Sequence, residues 1–311
     1  MDALTGLLDG VRAHGAFLLR TVMDPPWAMR IEDEAPLTLV AVVRGGVAIV
    51  LDGEAEPLRL GPGDVVIIRG PDHYVVADDP TTPPSVVIHP GQRCTTLHGD
   101  DLALSMDLGV RTWGNNERGA TALLTGTYEG HSEVSKRLLD VLPRAVVVRA
   151  TDWDSPLVDL LAADIAEDGA GQAVVLDRLL DLLLVAVVRL WLTREGGEAP
   201  AWWRAEHDPV VGKALRLLTN NPCEPWTVAN LASASGVSRA AFARRFNELV
   251  GEPPIAFLTS WRLALAADLL REPEMTIGAV ARRVGYSNPY ALSAAFKRAY
   301  GMSPKQHRLT R

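Results

Sequence analysis

Cysteine is nearly missing from this chain: Cys94 and Cys223 are the only two, and they stand far apart. A disulfide framework is thereby excluded, and both thiols are expected to be reduced. A long hydrophobic run is also lacking. The best candidate, Leu179 to Leu192, is broken by Asp181 and Arg189 and falls short of the roughly 20 apolar residues that a bilayer crossing needs. The first residues, Met1-Asp2-Ala3, are not followed by the basic segment and apolar core of a secretion signal, so the expectation is a cytoplasmic protein with no membrane partner. The chain is not poor in hydrophobic residues either. With 48% hydrophobic and 22% charged residues it leaves no room for a large disordered region, and 311 residues suffice for two domains with separate cores.

Positive charge is scarce overall, and a net charge of -7 would argue against a nucleic-acid partner if it were evenly spread. It is not. Residues 208–311 hold 14 Lys and Arg against 7 Asp and Glu, whereas residues 1–207 hold 17 against 31. The C-terminal third is therefore where phosphate contacts are expected.

From Leu37 to about Val148, short β-branched runs alternate with turn residues. Leu37–Val43, Val47–Leu51, Val65–Ile68 and Val86–Ile88 are separated by Gly45-Gly46, Asp52-Gly53, Gly61-Pro62-Gly63-Asp64 and Gly70-Pro71-Asp72. This spacing predicts an antiparallel sandwich or barrel. Helical spacing follows over 155–168 and 173–194, with Ser155-Pro156 as cap and first-turn proline. The second helix is apolar around most of its circumference and must be covered, either by the sheets or by a second copy in a homodimer. Glu195-Gly-Gly-Glu-Ala-Pro200 reads as linker, which sets the expected boundaries: 1–150 sheet domain, 151–195 helical hairpin, 196–207 linker and 208–311 helical domain.

Within the last hundred residues one unit occurs twice. Leu231–Ser238 overlays Val280–Ser287, each with a glycine (Gly236, Gly285) suited to a left-handed turn, and a serine two residues on (Ser238, Ser287) placed to cap the next helix. That helix carries an apolar pair one turn apart, Phe242 with Phe246 and Leu292 with Phe296. It closes at Gly251 or Gly301, with Pro254 or Pro304 three residues further. Helix, glycine turn and capped helix is the helix-turn-helix pattern, whose second helix enters the major groove of double-stranded DNA. A long helix, Ile255 to Leu270 with Trp261 in its apolar stripe, would space the two readers for successive grooves.

This arrangement, with Gly285-Tyr286-Ser287 and Phe296 through Pro304, resembles the AraC/XylS family over about residues 208–308. The resemblance implies a DNA-binding domain in which the second helix of each motif reads bases. On this chain the first reader is Ser238 to Leu249, with Arg239, Ala240, Ala243 and Arg244 facing the groove and Arg245 nearby. The second is Asn288 to Ala299, with Pro289, Tyr290, Ser293, Ala294 and Lys297 facing out and Asn288 also expected to contact DNA. Arg244 can grip guanine bidentately, worth about 1–3 kcal/mol of discrimination; the second face is mostly small or apolar, so the first reader is expected to supply more specificity. The plain alternative is that these arginines form a solvated helix face.

Gly61 to His73 is similar to a cupin motif, and the likeness extends over perhaps residues 20–150. The expected fold class is therefore α+β: a cupin-like β-barrel and helical hairpin followed by an all-α domain. In regulators of this type such a domain senses a small-molecule effector, and RNA polymerase is a further partner. The His-x-His of a metal-holding cupin is absent, since Val40 to Leu51 contains no histidine. His73, His89, Cys94 and His98 still lie within one short span, and imidazole with thiolate suits zinc or copper. Three readings of this domain stay open: a metal site, redox sensing through Cys94, and an organic effector in the barrel, with Trp27, Trp113 and Tyr128 as pocket lining or plain core. The alternative functions are a metal-dependent cupin enzyme with an accessory helical domain, and a protein-binding module built on the apolar helix.

Overall fold

The computed structural model describes residues 17–128, 136, 139–194, 201–272 and 274–309. They fall into two compact units, one made of residues 17–128 and 141–193, the other of residue 194 and everything from 201 onward together with Lys136, Leu139 and Asp140.

The first unit holds twelve strands, because each β-branched run between turn signals becomes one. They are β1 Phe17–Met23, β2 Ala28–Ile31, β3 Leu37–Arg44, β4 Val47–Leu51, β5 Leu58–Leu60, β6 Val65–Arg69, β7 Tyr74–Ala77, β8 Val86–His89, β9 Arg93–Thr96, β10 Thr112–Gly114, β11 Thr121–Tyr128 and β12 Ala145–Val148. They form two six-stranded sheets, ordered β10-β1-β11-β3-β6-β12 and β5-β4-β7-β2-β8-β9. Most pairings are antiparallel; β1 with β10 and β2 with β8 are parallel. Alternate residues of the two sheets meet in a single core, with Val40, Val42, Ile68 and Leu123 from the first facing Ile31, Ile49, Val76 and Ile88 from the second. Of the sandwich or barrel expected, the strands form a cupin-like pair of facing sheets and not a closed barrel. Strand and turn spacing is the same for both architectures, so the sequence pattern could not separate them.

Helices α1 Leu157–Asp164 and α2 Gln172–Thr193 form the expected hairpin and pack against β3 and β12 respectively. Tyr128 donates from its hydroxyl to the Leu180 carbonyl at 3.2 Å, fastening α2 to β11. Leu176, Leu180, Leu183, Leu184, Val187, Val188 and Leu192 are thereby buried within the chain, while Val174, Val175 and Leu182 stay exposed. Among the described residues no helix is long and apolar enough to cross a membrane.

The second unit is helical: α3 Ala201–Glu206, α4 Val211–Asn220, α5 Val228–Ala234, α6 Arg239–Val250, α7 Pro254–Leu270, α8 Ile277–Arg283, α9 Pro289–Tyr300 and α10 Pro304–His307. Residues 195–200 of the expected linker lie outside the described residues, but Ala201–Glu206, also taken as linker, is a helix packed on α4 and α6. The spacer α7 starts at Pro254 and is buried on nearly all sides instead of along one stripe. Its first half stacks Phe257 on Trp261 and meets Phe246 edge-on at 6.0 Å, whereas its second half supplies Leu263, Ala266, Ala267 and Leu270 to the core around Leu292 and Phe296. A helix covered by both motifs needs apolar residues on every face.

Candidate nucleic-acid interface

Each reader helix is built by the same local devices. In the first motif, Gly236 takes φ 72° and turns the chain between α5 and α6; in the second, Gly285 takes φ 83° between α8 and α9. Ser238 caps α6, its hydroxyl accepting from the Ala241 amide at 3.3 Å. The second motif differs: Asn288, not Ser287, caps α9, its Oδ1 accepting from the Ala291 amide at 2.8 Å. That turn is one residue longer, with Pro289 opening the helix, so the expected Ser287 cap is corrected. Phe242, Phe246, Leu292 and Phe296 are fully buried, so each reader is pinned by its apolar pair and presents its other face outward.

On α6 that outward face carries exposed Arg239, Ala240 and Arg244 and half-buried Ala243. Among the described residues Arg244 reaches only Glu248, at 3.8 Å, with 77% of its side chain exposed. Arg245 is placed differently. Its guanidinium turns back to Asp208, with Nε donating to Oδ2 at 2.9 Å and Nη2 to the same oxygen. Burial disfavours the ionised Asp208 carboxyl, but Arg245 and the Val211 and Val210 amides outweigh it and hold the carboxyl below its usual range. On α9 the outward face has exposed Pro289, Tyr290, Ala294 and Lys297 and half-buried Ser293; Tyr290 is 85% exposed. Asn288 is exposed but spends its Oδ1 on the cap.

Sequence reasoning missed two arginines that hold the frame. Arg262 on α7 donates from Nε to the Pro222 carbonyl at 2.5 Å and from Nη2 to the Glu224 carbonyl at 2.9 Å, tying the spacer to the loop ahead of α5. Arg308 donates to the carbonyls of Leu270 and Met275, closing the far end of α7. An arginine inside the apolar stretch 254–270 was the available signal for the first.

The four side chains expected to hold metal or effector are not gathered. His89 pairs with Arg93 and Ile88 with Cys94 in the β8–β9 ladder, which puts His89 and Cys94 on opposite faces. His89 Nε2 lies 2.9 Å from Thr95 Oγ1, while Cys94 packs on the sheet core, where burial first and Asp101 second push its thiol up. His73 sits outside beside Glu32, 3.9 Å away, next to the Arg30–Asp52 pair, and His98 is exposed in a turn. Among the described residues no group of three or more His, Cys, Asp or Glu side chains could hold a metal ion. Zinc and copper therefore do not fit this donor set, and a thiol pushed upward is a poor redox sensor. Asp64 of the cupin-like motif has a structural role, accepting from the Gly61 and Ala150 amides and from Arg149.

The chain's likeness to known proteins agrees with this geometry. A family profile described as cupin matches residues 2–193, and one described as a helix-turn-helix domain matches residues 231–310. A protein of Streptomyces antibioticus named an AraC-like transcription regulator is 31% identical over 315 residues, which cover 99% of this chain and 98% of that protein. The HTH-type transcriptional regulator MtrA of Neisseria gonorrhoeae is 27% identical over 316 residues, covering 99% and 98%. Among solved structures, the DNA-binding domain of AdpA in complex with a target DNA is 32% identical and covers 33% of this chain and 91% of that one, with a TM-score of 0.31. The chain belongs to the AraC family of DNA-binding transcription regulators, and carries a cupin-like domain ahead of its paired helix-turn-helix motifs.

Proposed function

We propose that the two readers contribute unequally, with α6 selecting base pairs and α9 chiefly fixing the protein on the groove wall. The observation that carries this reading is the outward position of Arg244 on α6, on the side away from the buried Phe242 and Phe246, with Arg239 also exposed in the first turn. A guanidinium in that position can take guanine O6 and N7 together. The face of α9 offers Tyr290, Ser293, Ala294 and Lys297, which suit thymine methyls, sugars and a phosphate. Selection of binding sites from random duplexes tests it: Arg244→Ala should erase the preference at one base pair, and Lys297→Ala should weaken all sites alike. Equal loss of preference from both variants would overturn the division.

The sheet domain, on this reading, senses a small organic effector between the two sheets and is not an enzyme. Trp27 Nε1 and Thr127 Oγ1 support it, because both are buried without a hydrogen-bond partner among the described residues. Trp27 belongs to the shared core, Thr127 shares the inner face of β11 with Leu123, and buried polar atoms are normally satisfied. An indole N–H only donates, so the effector needs an acceptor atom. Denaturing mass spectrometry of the purified protein, before and after extraction with organic solvent, would find such a molecule. Two copies associate through the exposed strip Val174, Val175 and Leu182 of α2, and the assembly acts on RNA polymerase at the promoter. Sedimentation of Leu182→Glu as a monomer would support the contact, and an unchanged dimer would remove it.

A further inference from the structure

The segment that joins the sheet domain to the reader unit does not end as a slack tether. From Ala201 it is helix α3, packed on α4 and on the first reader, α6. Its end lies flat on α4: a Cβ at Gly212 would stand 2.0 Å from the Glu206 carbonyl oxygen. The Glu206 side chain, only 6% exposed, accepts from Arg216 Nη1 at 2.9 Å. Asp208 then closes the turn with both oxygens. Oδ1 accepts from the Val210 and Val211 amides at 3.0 and 2.9 Å, and Oδ2 takes the Arg245 guanidinium. Arg245 follows Arg244 in sequence, but one residue is about 100° around a helix, which turns it from the outer face toward α3 and α4.

We infer that Arg245 does not contact DNA but forms with Asp208 a positioning pair that sets the rotation of α6 about its own axis. The segment from Ala201 and the first reader then move as one body, and any signal carried along the joining segment meets α6 before it meets α9. The inference rests on α6 being a base reader. It reverses the sequence expectation for Arg245, whose charge and place beside Arg244 suggested a groove contact.

The test uses the full chain on a duplex selected from random sequence, titrated by fluorescence anisotropy at several KCl concentrations. Asp208→Asn keeps Oδ1 for the cap and removes the charge; Arg245→Gln removes the guanidinium. Each single variant should weaken binding by roughly three- to thirtyfold, and the double variant should do no worse than the weaker single. The slope of affinity against salt should not change, and both variants should relax preference at the base pair that Arg244→Ala relaxes. A thermal melt confirms that the variants are folded; if Asp208→Asn is not, Arg245→Gln and Arg245→Lys carry the same readouts. A phosphate contact predicts otherwise: Arg245→Gln would flatten the salt slope by about 0.9, and Asp208→Asn, by freeing the arginine, would leave affinity equal or higher. That result, or an unchanged base preference, overturns the pair while leaving α6 as reader. If the unaltered chain binds no duplex, the reader assignment falls and the pair with it.

Discussion

The two helix-turn-helix motifs are copies in their packing and unlike in their surfaces. Each sets a left-handed glycine, a side-chain cap and a buried apolar pair in the same order. Past that frame they diverge: α6 shows Arg239 and Arg244, while α9 shows Tyr290, Ala294 and Lys297 and follows a turn one residue longer. The difference teaches that the duplicated part is what positions a reader, and the part free to vary is what it reads. Packing constrains the inner face because a lost ring leaves a cavity, whereas the outer face meets only water until DNA arrives.

The largest effect should test the shared frame. Phe246→Ala and Phe296→Ala each remove a fully buried ring, and each should cost about 3–5 kcal/mol in urea unfolding. Phe246 leans on Phe242 and Phe257, and Phe296 on Tyr300 and His307, so the losses should be alike. A tolerated Phe296→Ala would mean that only the first motif is held by its aromatic ring.

The next effect tests the surfaces. Arg244→Ala should cost about 1–3 kcal/mol at one base pair and little elsewhere. Lys297→Ala should weaken every site and lower the salt slope by about 1 if it meets a phosphate. An inverted pattern, with Lys297 selective and Arg244 uniform, would exchange the two roles.

The caps come third. Ser238→Ala and Asn288→Ala should each cost about 0.5–2 kcal/mol in thermal unfolding, and Ser287→Ala much less, although the overlay of the two copies points to Ser287. Here the limit of the sequence is visible. Glycine, cap and apolar pair are local signals, so both motifs can be read from the chain, and the one-residue lengthening of the second turn shows only once Phe246 and Phe296 are aligned instead of Ser238 and Ser287. The Asp208–Arg245 pair joins residues 37 apart, and nothing local announces it. Helix α3 follows a glycine- and proline-containing stretch and is too short to show a period. His89 and Cys94 looked like one site because they are close in sequence, yet the alternation of the β8–β9 ladder sends them to opposite faces.

The smallest effect compares the two units through one carboxylate each. Asp64 in the sheet unit, like Asp208 in the helical one, is held below the usual carboxylate range. Burial of Asp64 works against its charge, but the Gly61 and Ala150 amides and then Arg149 outweigh burial. A carboxyl whose folded pKa is depressed contributes stability that is complete above its unfolded value, about 3.9, and is lost as pH falls through the folded value. Acidification below about pH 4 should therefore lower the melting temperature, while the range from pH 6 to about 8 leaves these two contributions unchanged. Asp64→Asn should flatten the acid limb of the sheet unit's transition and Asp208→Asn that of the helical unit's, each with some stability lost at neutral pH. Each limb is read as the difference in melting temperature between the variant and the unaltered chain as the pH is lowered. If Asp208→Asn left the acid limb of the helical transition as steep as before, the Arg245 contact would carry no weight in the folded protein.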